Sequence, residues 1–294
     1  MSTTPALSGG AIRGLREQIT RSFRVRTQNQ ALRFIQTVGY CYAFTQGPGH
    51  LPSLFEVLDT RSDDRRWEWA WEWKAALPSD KRAFYGRVLS RKPTFISMEL
   101  LPHFFALSGN VGGPDDSERL YEAGGLSALA RRVYELIAAS GPLTTRQIRA
   151  AIEPERKGSS GRLLRALADL QGLFLLARTG EVGDNPSNYA YVWDTFPRWL
   201  PAVVRQAERI AHRAAAATVL AQYVRIAGAP RPEDAARLFA WTPSVLEAAI
   251  RDLQAEDQLG IVRGPQGEER LAPRAVLAHL ATRSRELRRV TPRA

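Results

Sequence analysis

The fold is decided by residues 125–193, which read GLSALARRVYELIAASGPLTTRQIRAAIEPERKGSSGRLLRALADLQGLFLLARTGEVGDNPSNYAYVW. Apolar side chains recur there at helical spacing in three segments, and Gly141-Pro142 separates the first two. Thr144 or Thr145 can cap the second segment. The apolar and aromatic stretches 173–177 and 189–193 are typical of two strands joined by a polar loop. The three apolar faces are Leu129, Val133, Leu136 and Ile137; Ile148 and Ile152; and Leu163, Leu164, Leu167 and Leu170.

Three helices followed by a hairpin are the order of a winged helix, a module that docks on nucleic acids. The third helix of such a module enters the groove, and here its solvent side would carry Arg162 and Arg165. The glycine-rich loop before it would lie at a positive helix end, which stabilises a phosphate oxygen, although an ordinary solvated loop is the alternative. The residues predicted to contact DNA are Lys157, Ser159, Ser160, Arg162, Arg165 and Arg178.

A second copy of the pattern follows the first. Asp169-Leu170-Gln171 in the first copy matches Asp252-Leu253-Gln254 in the second. The third helix of this copy carries mostly acidic solvent-facing side chains, which repel a phosphate backbone. We therefore expect the last module to be architectural or to contact protein. Its predicted helices are 202–226, 232–239 and 243–257, and its predicted strands are 259–263 and 269–271.

Composition and charge limit the class of protein. The chain has 294 residues, of which 44% are hydrophobic, with a formal charge of +11 and one cysteine, Cys41. This size suits two or three small soluble modules. One cysteine excludes internal disulfides and fits a reducing cytoplasm, and no apolar run approaches the roughly 18 residues of a membrane span. Residues 1–33 contain six arginines and one glutamate, and residues 282–294 contain five arginines and one glutamate. These arginine-rich ends either attract phosphates or solubilise the chain.

The segment Trp67-Glu-Trp-Ala-Trp-Glu-Trp-Lys74 is unusually aromatic. A helix is favoured over a strand, because Ala75-Ala76-Leu77 continues the segment before Pro78 stops it. At least two of the rings would then pack in a core or between modules. The alternative is that one or two rings stack on an unpaired base while the lysine meets a phosphate. The candidates for this pocket are Tyr42, Trp71, Trp73 and Lys74.

Residues from about 27 onward resemble the winged-helix family that contains the bacterial crosslink-repair DNA glycosylases of the AlkZ/YcaQ type. The resemblance rests on Val38-Gly39-Tyr40, on the segment FISMELLP at 95–102, and on the tandem modules behind them. It is similar in particular to a branch described as AlkZ-related, in which segments like Phe84-Tyr85-Gly86 recur. The resemblance implies three winged helices curved around duplex DNA and, in the characterised branches, excision of bulky or crosslinked alkylated bases without a metal.

The chain departs from these glycosylases at their catalytic motif. They carry Gln-x-Gln or Gln-x-Asp after the first helix, whereas the matching stretch 39–46 has Tyr42 and Phe44 near the polar positions. Rings cannot orient a hydrolytic water as an amide and a carboxylate do, so the catalytic assignment is not carried over. The remaining catalytic candidates are Gln46, Tyr85 and Glu99, of which Glu99 is more simply explained as a helix cap. Scattered histidines and a single cysteine predict no metal site, and no cofactor motif is present.

The predicted fold is mainly α with small β-hairpins (α+β), built from tandem winged-helix modules. The predicted boundaries are a flexible basic arm at 1–26, a divergent winged-helix-like module at 27–109, a linker at 110–127, winged helices at 128–195 and 196–280, and a basic tail at 281–294. We expect a cytoplasmic, nucleoid-associated protein that binds damaged or distorted double-stranded DNA without a metal or cofactor. An active glycosylase with an altered pocket and a transcriptional regulator are the alternatives.

Overall fold

A computed structural model describes residues 5–44, 50–153, 161–183, 189–280 and 282. The protein is mainly helical with small antiparallel sheets, which confirms the predicted α+β class. The described helices are α1 (Gly9–Arg21), α2 (Gln28–Val38), α3 (Leu54–Val57), α4 (Asp63–Ser79), α5 (Leu101–Ser108), α6 (Asp116–Glu122), α7 (Ala128–Ser140), α8 (Thr145–Ile152), α9 (Gly161–Gly172), α10 (Phe196–Trp199), α11 (Pro201–Ala207), α12 (His212–Ala227), α13 (Pro232–Phe239) and α14 (Pro243–Ala255).

The described strands form three sheets. They are β1 (Tyr40–Tyr42), β2 (Ala83–Gly86), β3 (Thr94–Ser97), β4 (Leu143–Thr144), β5 (Leu176–Val182), β6 (Ala190–Thr195), β7 (Leu259–Arg263) and β8 (Glu269–Pro273). All neighbours pair antiparallel, in the orders β1-β3-β2, β4-β6-β5 and β7-β8. The connection from β2 to β3 contains a short 3₁₀ turn, Leu89–Arg91. We refer to α2–α5 with β1, β2 and β3 as the first unit, to α7–α9 with β4, β5 and β6 as the central unit, and to α11–α14 with β7 and β8 as the last unit.

Short polar side chains determine where several helices begin. Thr27, Ser53 and Thr144 each accept a hydrogen bond from the backbone three residues later, and the Gln or Glu at that position bonds back to the cap. Such reciprocal caps satisfy two backbone N–H groups that the helix itself leaves without partners. The prediction that Thr144 or Thr145 caps the second helix of residues 125–193 is therefore confirmed at Thr144.

The buried side chains form one large core, one smaller core and a small third cluster around Leu7 and Val262. The large core combines the first unit, represented by Phe34 and Tyr40, with the last unit, represented by Val219 and Tyr223. The hydroxyl of Tyr40 donates to the carbonyl oxygen of Val219 at 2.9 Å, across the junction of the two units. The smaller core lies inside residues 126–193, where α7 and α8 pack against β6 and α9 packs against α7 and β5. The first and last units therefore pack as one body, against which the central unit docks.

The N-terminal segment differs from the predicted flexible arm at 1–26. Residues 9–21 form α1, and the backbone N–H of Leu7 donates to the carbonyl oxygen of Arg263 at 2.8 Å. Leu7 is buried, and Ile12 and Leu15 pack in the same small cluster with Val262. Burial of these apolar side chains holds the segment on the last unit. The high arginine content of the segment had indicated a solvated arm instead.

Three further predictions of local structure need correction. Pro78 lies inside α4 and does not stop the helix before it. The predicted helix 202–226 is two helices, α11 and α12, separated at 208–211. The predicted linker 110–127 contains α6, and the buried Asp116 accepts hydrogen bonds from the backbone N–H groups of Val111 and Gly112. Interactions with neighbouring elements decide these cases, because tertiary packing overrides weak local preferences.

Gly228 allows α1 to approach α12, and this contact gives a testable prediction. A Cβ atom at this position would lie 2.8 Å from the backbone nitrogen of Arg16 and 2.9 Å from the carbonyl oxygen of Ile12, at a φ of +70°. We expect Gly228→Ala to destabilise the protein by about 2–3 kcal/mol, because strained backbone and displacement of α1 add together. Trypsin should cleave after Arg16 faster in the variant than in the wild type.

Gly109→Ala is the matched control for this prediction. Gly109 has nearly the same φ, +71°, but nothing lies within 4 Å of its Cβ position. The control should lose only about 1 kcal/mol from the left-handed backbone and should keep α1 protected. Equal proteolysis of the two variants would contradict the tight docking of α1.

None of the described helices is both long enough and apolar enough to cross a lipid bilayer.

Candidate nucleic-acid interface

An open cavity of about 540 Å³ lies where the first unit meets the central unit. Its walls come from the end of β2 and the turn after it, from α9, and from the hairpin β5–β6. The cations on these walls are Arg87, Arg91, Arg165 and Arg178, and the rings are Tyr85, Tyr191 and Trp193. Cationic and aromatic groups thus converge on one concave surface from two different units.

The helix α9 presents its polar side to this cavity because its apolar side fills the small core. Leu163, Leu167 and Leu170 are buried, whereas Arg162 and Arg165 are exposed, as predicted. Leu164 was predicted on the apolar face, but 45% of it is exposed and it lines the cavity. The correction follows from helix geometry, since a residue adjacent to Leu163 lies about 100° around the axis.

The turn after β2 contributes two cations that the sequence did not single out, Arg87 and Arg91. The backbone N–H of Arg87 donates to Oε1 of Gln171 at 3.0 Å, and Nε2 of Gln171 donates to the carbonyl oxygen of Tyr85 at 3.2 Å. Arg91 forms an ion pair with Asp169 on α9. The buried amide of Gln171 therefore fixes the turn to α9. A run of three cations without an acid at 86–92 is the signal that could have located it.

The backbone of this turn is held in an unusual conformation. Ser90 has a φ of 49° and Arg91 a φ of 57°, both left-handed and neither glycine. The turn is anchored by the hydroxyl of Thr94, which donates to the carbonyl oxygen of Lys92 at 2.9 Å. Consecutive left-handed residues cost of order 1–3 kcal/mol each and persist where surrounding contacts hold them. The turn thus holds Arg91 in a defined position at the edge of the cavity.

Lys74 and Arg178 were predicted to contact DNA, and the structure corrects both predictions. Nζ of Lys74 lies 2.8 Å from Oε1 of Glu181 and 3.2 Å from the hydroxyl of Tyr189, and only 1% of its side chain is exposed. Nη1 of Arg178 lies 3.5 Å from the same carboxylate, and its Nη2 donates to the carbonyl oxygen of Lys74. Burial, and then the charge of Arg178, lowers the pKa of Lys74 to about 8.

This buried charged cluster, Lys74, Arg178 and Glu181, joins α4 of the first unit to β5 of the central unit. The guanidinium carbon of Arg178 lies 4.3 Å from the ring centre of Tyr85 and 4.6 Å from that of Tyr191. Cations over aromatic faces are stabilised by the ring quadrupole. The cluster therefore positions the aromatic wall of the cavity. Its two cations share the carboxylate of Glu181.

Of the four residues predicted to form a base-stacking pocket, three are buried and only Trp71 is exposed. Tyr42 and Trp73 are buried in the large core, so they are not available to stack on a base, which corrects that prediction. The rings of Trp69 and Trp73 stack at 5.5 Å within α4. Half of Trp71 is exposed, and its ring centre lies 3.9 Å from Nζ of Lys74. Stacking on Trp71 stays a prediction.

Two of the three catalytic candidates, Tyr85 and Glu99, line different depressions. Tyr85 lines the cavity, and burial raises its pKa to about 12. Glu99 lines a different depression beside Gln222 and Arg225 of α12. Gln46 lies outside the described residues, as do Lys157, Ser159 and Ser160 and the predicted basic tail beyond residue 282. Within the described ranges, no group of three His, Cys, Asp or Glu side chains could hold a metal ion.

Comparisons with known proteins give two matches. A family model described as AlkZ related matches residues 25–240. The solved structure of the Streptomyces sahachiroi DNA glycosylase AlkZ superposes with a TM-score of 0.59 at 15% sequence identity, covering 94% of this chain and 72% of that chain. At this identity the similarity concerns the fold. No curated protein matches the sequence.

Proposed function

Because the chain belongs to the AlkZ-related family, we propose that it is a repair-associated protein that binds double-stranded DNA at the exposed side of α9 and the adjoining cavity. One observation carries this proposal. Arg87 and Arg91 from the first unit lie on the same cavity as Arg165 from the central unit, beside the rings of Tyr191 and Trp193. Guanidinium groups suit phosphate oxygens, and aromatic rings suit an unstacked base.

The arginines of α9 are available for phosphates. Arg165 is exposed and makes no ion pair or hydrogen bond with another described residue. Arg162 is 72% exposed, and its Nη2 is 4.0 Å from Oε1 of Glu153, so this pair is loose and solvent-screened. Neutralising phosphates with such side chains releases counterions, which supplies affinity without regard to sequence. The third helix of the central unit thus has the charge that DNA docking needs.

The shape of the site favours distorted or damaged duplex over regular duplex. A cavity of about 540 Å³ falls within the range of sites that enclose a small molecule or a single nucleotide. The exposed Leu164 stands beside it on α9, and apolar side chains of this kind separate base steps that are already weakened. A displaced nucleotide could then enter between Tyr191 and the arginines. Displacement costs least where pairing is already disrupted.

Binding without base excision agrees with the environment of the family's catalytic position. Tyr42, which occupies the stretch matching the catalytic motif, is buried, and its hydroxyl bonds to the side chain of Ser90. Burial raises the pKa of this phenol, which therefore stays protonated at neutral pH and does not act as a base. The transcriptional regulator remains an alternative with no structural observation in its favour. A symmetric, high-affinity operator sequence would support it over a role in repair.

The double substitution Arg162→Ala and Arg165→Ala tests the proposal. We expect it to weaken binding to a duplex carrying a mismatch at least tenfold at low salt. The slope of log affinity against log salt should become shallower by about 2, since each lost phosphate contact contributes about 0.9. Fluorescence anisotropy with a labelled duplex at four salt concentrations measures both quantities.

The matched control is Arg251→Ala on α14. This helix is the counterpart of α9 in the last unit, and Arg251 lies beside the carboxylate of Glu247 at 3.7 Å. The control should leave the affinity and the salt slope unchanged. Wild-type binding by the double variant would exclude α9 as the docking helix. Abasic product formed from alkylated duplexes would instead assign glycosylase activity.

A further inference from the structure

A second cavity, of about 480 Å³, lies beside the turn that follows β2. The turn residues Val88–Arg91 form one wall, and the end of α9 at Gly172–Phe174 forms another. The connection between α13 and α14 closes the third side. Arg91 lines this cavity and also the cavity of about 540 Å³ described above. The two cavities are therefore neighbours that share Arg91, and all three units contribute to the second one.

The second cavity contains an aromatic platform. The rings of Phe239 and Trp241 stack with centres 4.6 Å apart and planes inclined by 26°. Ala240 between them has a φ of 54°, a left-handed conformation that is unfavourable for alanine and that allows both rings to lie against each other. The ring of Tyr223 meets the ring of Phe239 edge-on, with 5.5 Å between ring centres. The outer ring, Trp241, thus forms part of a rigid wall.

The charged side chains that line the second cavity are the arginines Arg91 and Arg237. Arg91, Arg237 and His212 line it, and no carboxylate is present among the described residues that do so. Arg237 is exposed on α13 and forms no ion pair within the described part of the chain. Arg91 also pairs with Asp169 on α9, so Arg237 carries the unpaired charge. A rigid ring beside such an arginine matches the chemistry of a nucleotide, whose base stacks while its phosphate takes the positive charge.

We infer that this second cavity binds an unpaired DNA nucleotide, with its base against Trp241 and its phosphate at Arg91 and Arg237. The inference rests on the proposed function and extends it. Because the two cavities share Arg91, the protein would accept two displaced nucleotides from one disrupted region. It would therefore prefer DNA in which both strands are unpaired at the same place.

Trp241→Ala tests this inference on two labelled duplexes of one length. One duplex is fully matched, and the other has a central bubble of two unpaired nucleotides in each strand. We expect Trp241→Ala to weaken binding to the bubble about tenfold and to leave binding to the matched duplex unchanged. Trp241→Phe, which keeps an aromatic face, should retain the preference for the bubble. Arg237→Ala, which lies outside the core, should reduce the salt slope of bubble binding by about 1.

The outcomes separate this inference from the proposed function. An unchanged preference for the bubble in both Trp241→Ala and Arg237→Ala overturns the second site alone. Equal losses on both duplexes in Trp241→Ala, not rescued by phenylalanine, assign Trp241 to the fold and also overturn it. If the wild-type protein binds neither duplex, or if Arg165→Ala has no effect on either, the proposed function fails and the second site fails with it.

Discussion

Phe196→Ala is expected to lower the free energy of unfolding by about 3–5 kcal/mol, the range for removing a fully buried ring. Phe196 is completely buried at the start of α10, directly after β6. Its ring stacks on Phe105 at 5.0 Å and meets Phe174 edge-on at 5.5 Å. It also meets Phe84 of the first unit at 5.7 Å. The substitution would leave a cavity at the junction where the central unit docks on the body formed by the other two.

Urea denaturation followed by tryptophan fluorescence measures this loss. Phe196→Leu, which keeps most of the volume, should lose less than half as much. Tyr121→Ala is a surface control, because that ring is 37% exposed, and it should change the stability little. A loss below 1 kcal/mol for Phe196→Ala would mean that the central unit does not depend on this aromatic junction.

Glu181→Ala is expected to destabilise the protein by about 3 kcal/mol, because two buried cations lose their counter-charge. Nζ of Lys74 and Nη1 of Arg178 lie 2.8 Å and 3.5 Å from Oε1 of Glu181. A buried lysine can release its proton, whereas an arginine stays charged, so the larger penalty falls on Arg178. Glu135→Ala removes an exposed ion pair with Arg131 and should leave the stability nearly unchanged.

The pH dependence of this loss identifies its electrostatic part. Glu181 raises the pKa of Lys74, which burial lowers to about 8. Without Glu181 the folded variant releases this proton at a lower pH than the wild type, while the unfolded lysine is the same in both. Stability rises with pH wherever the unfolded state binds more protons. The deficit of Glu181→Ala should therefore be largest near pH 6 and should shrink toward pH 8. A constant deficit over this range would assign the loss to packing alone.

These two predictions concern the same structural requirement. The aromatic junction at Phe196 and the buried cluster of Lys74, Arg178 and Glu181 both attach the central unit to the first unit. The cavity beside α9 exists only while that attachment holds, because its walls come from both units. Variants at the junction should therefore also weaken DNA binding, although none of the three residues of the cluster is expected to touch DNA.

Much of the local structure could be predicted from patterns of three or four residues. The spacing of Leu163, Leu167 and Leu170 indicated α9 and the direction of its buried side. The solvent exposure of Arg162 and Arg165 followed from the same spacing. Helix α13 and strand β7 begin and end at the predicted residues. These features depend on side chains within one or two helical turns, which a single sequence displays directly.

The set of residues that forms the site could not be predicted in the same way. Lys74 and Glu181 are 107 positions apart, and nothing local shows that a lysine after four tryptophans becomes buried. The importance of Arg87 and Arg91 depended on where the turn that carries them lies. The docking of Gln171 against β2 helps to position this turn. Charged side chains are usually exposed. This expectation placed Lys74 and Arg178 at the surface, whereas both are buried.

The order of the three helices and the hairpin within residues 125–193, the family and the direction of the α9 arginines were thus determined by the sequence alone, because periodicity, capping and turn chemistry are local. The tertiary structure alone decided that the first and last units share one core, which cations neutralise each other, and which ones remain free around the two cavities. The reason is that the fate of a charge depends on the partner that folding brings to it from a distant part of the chain.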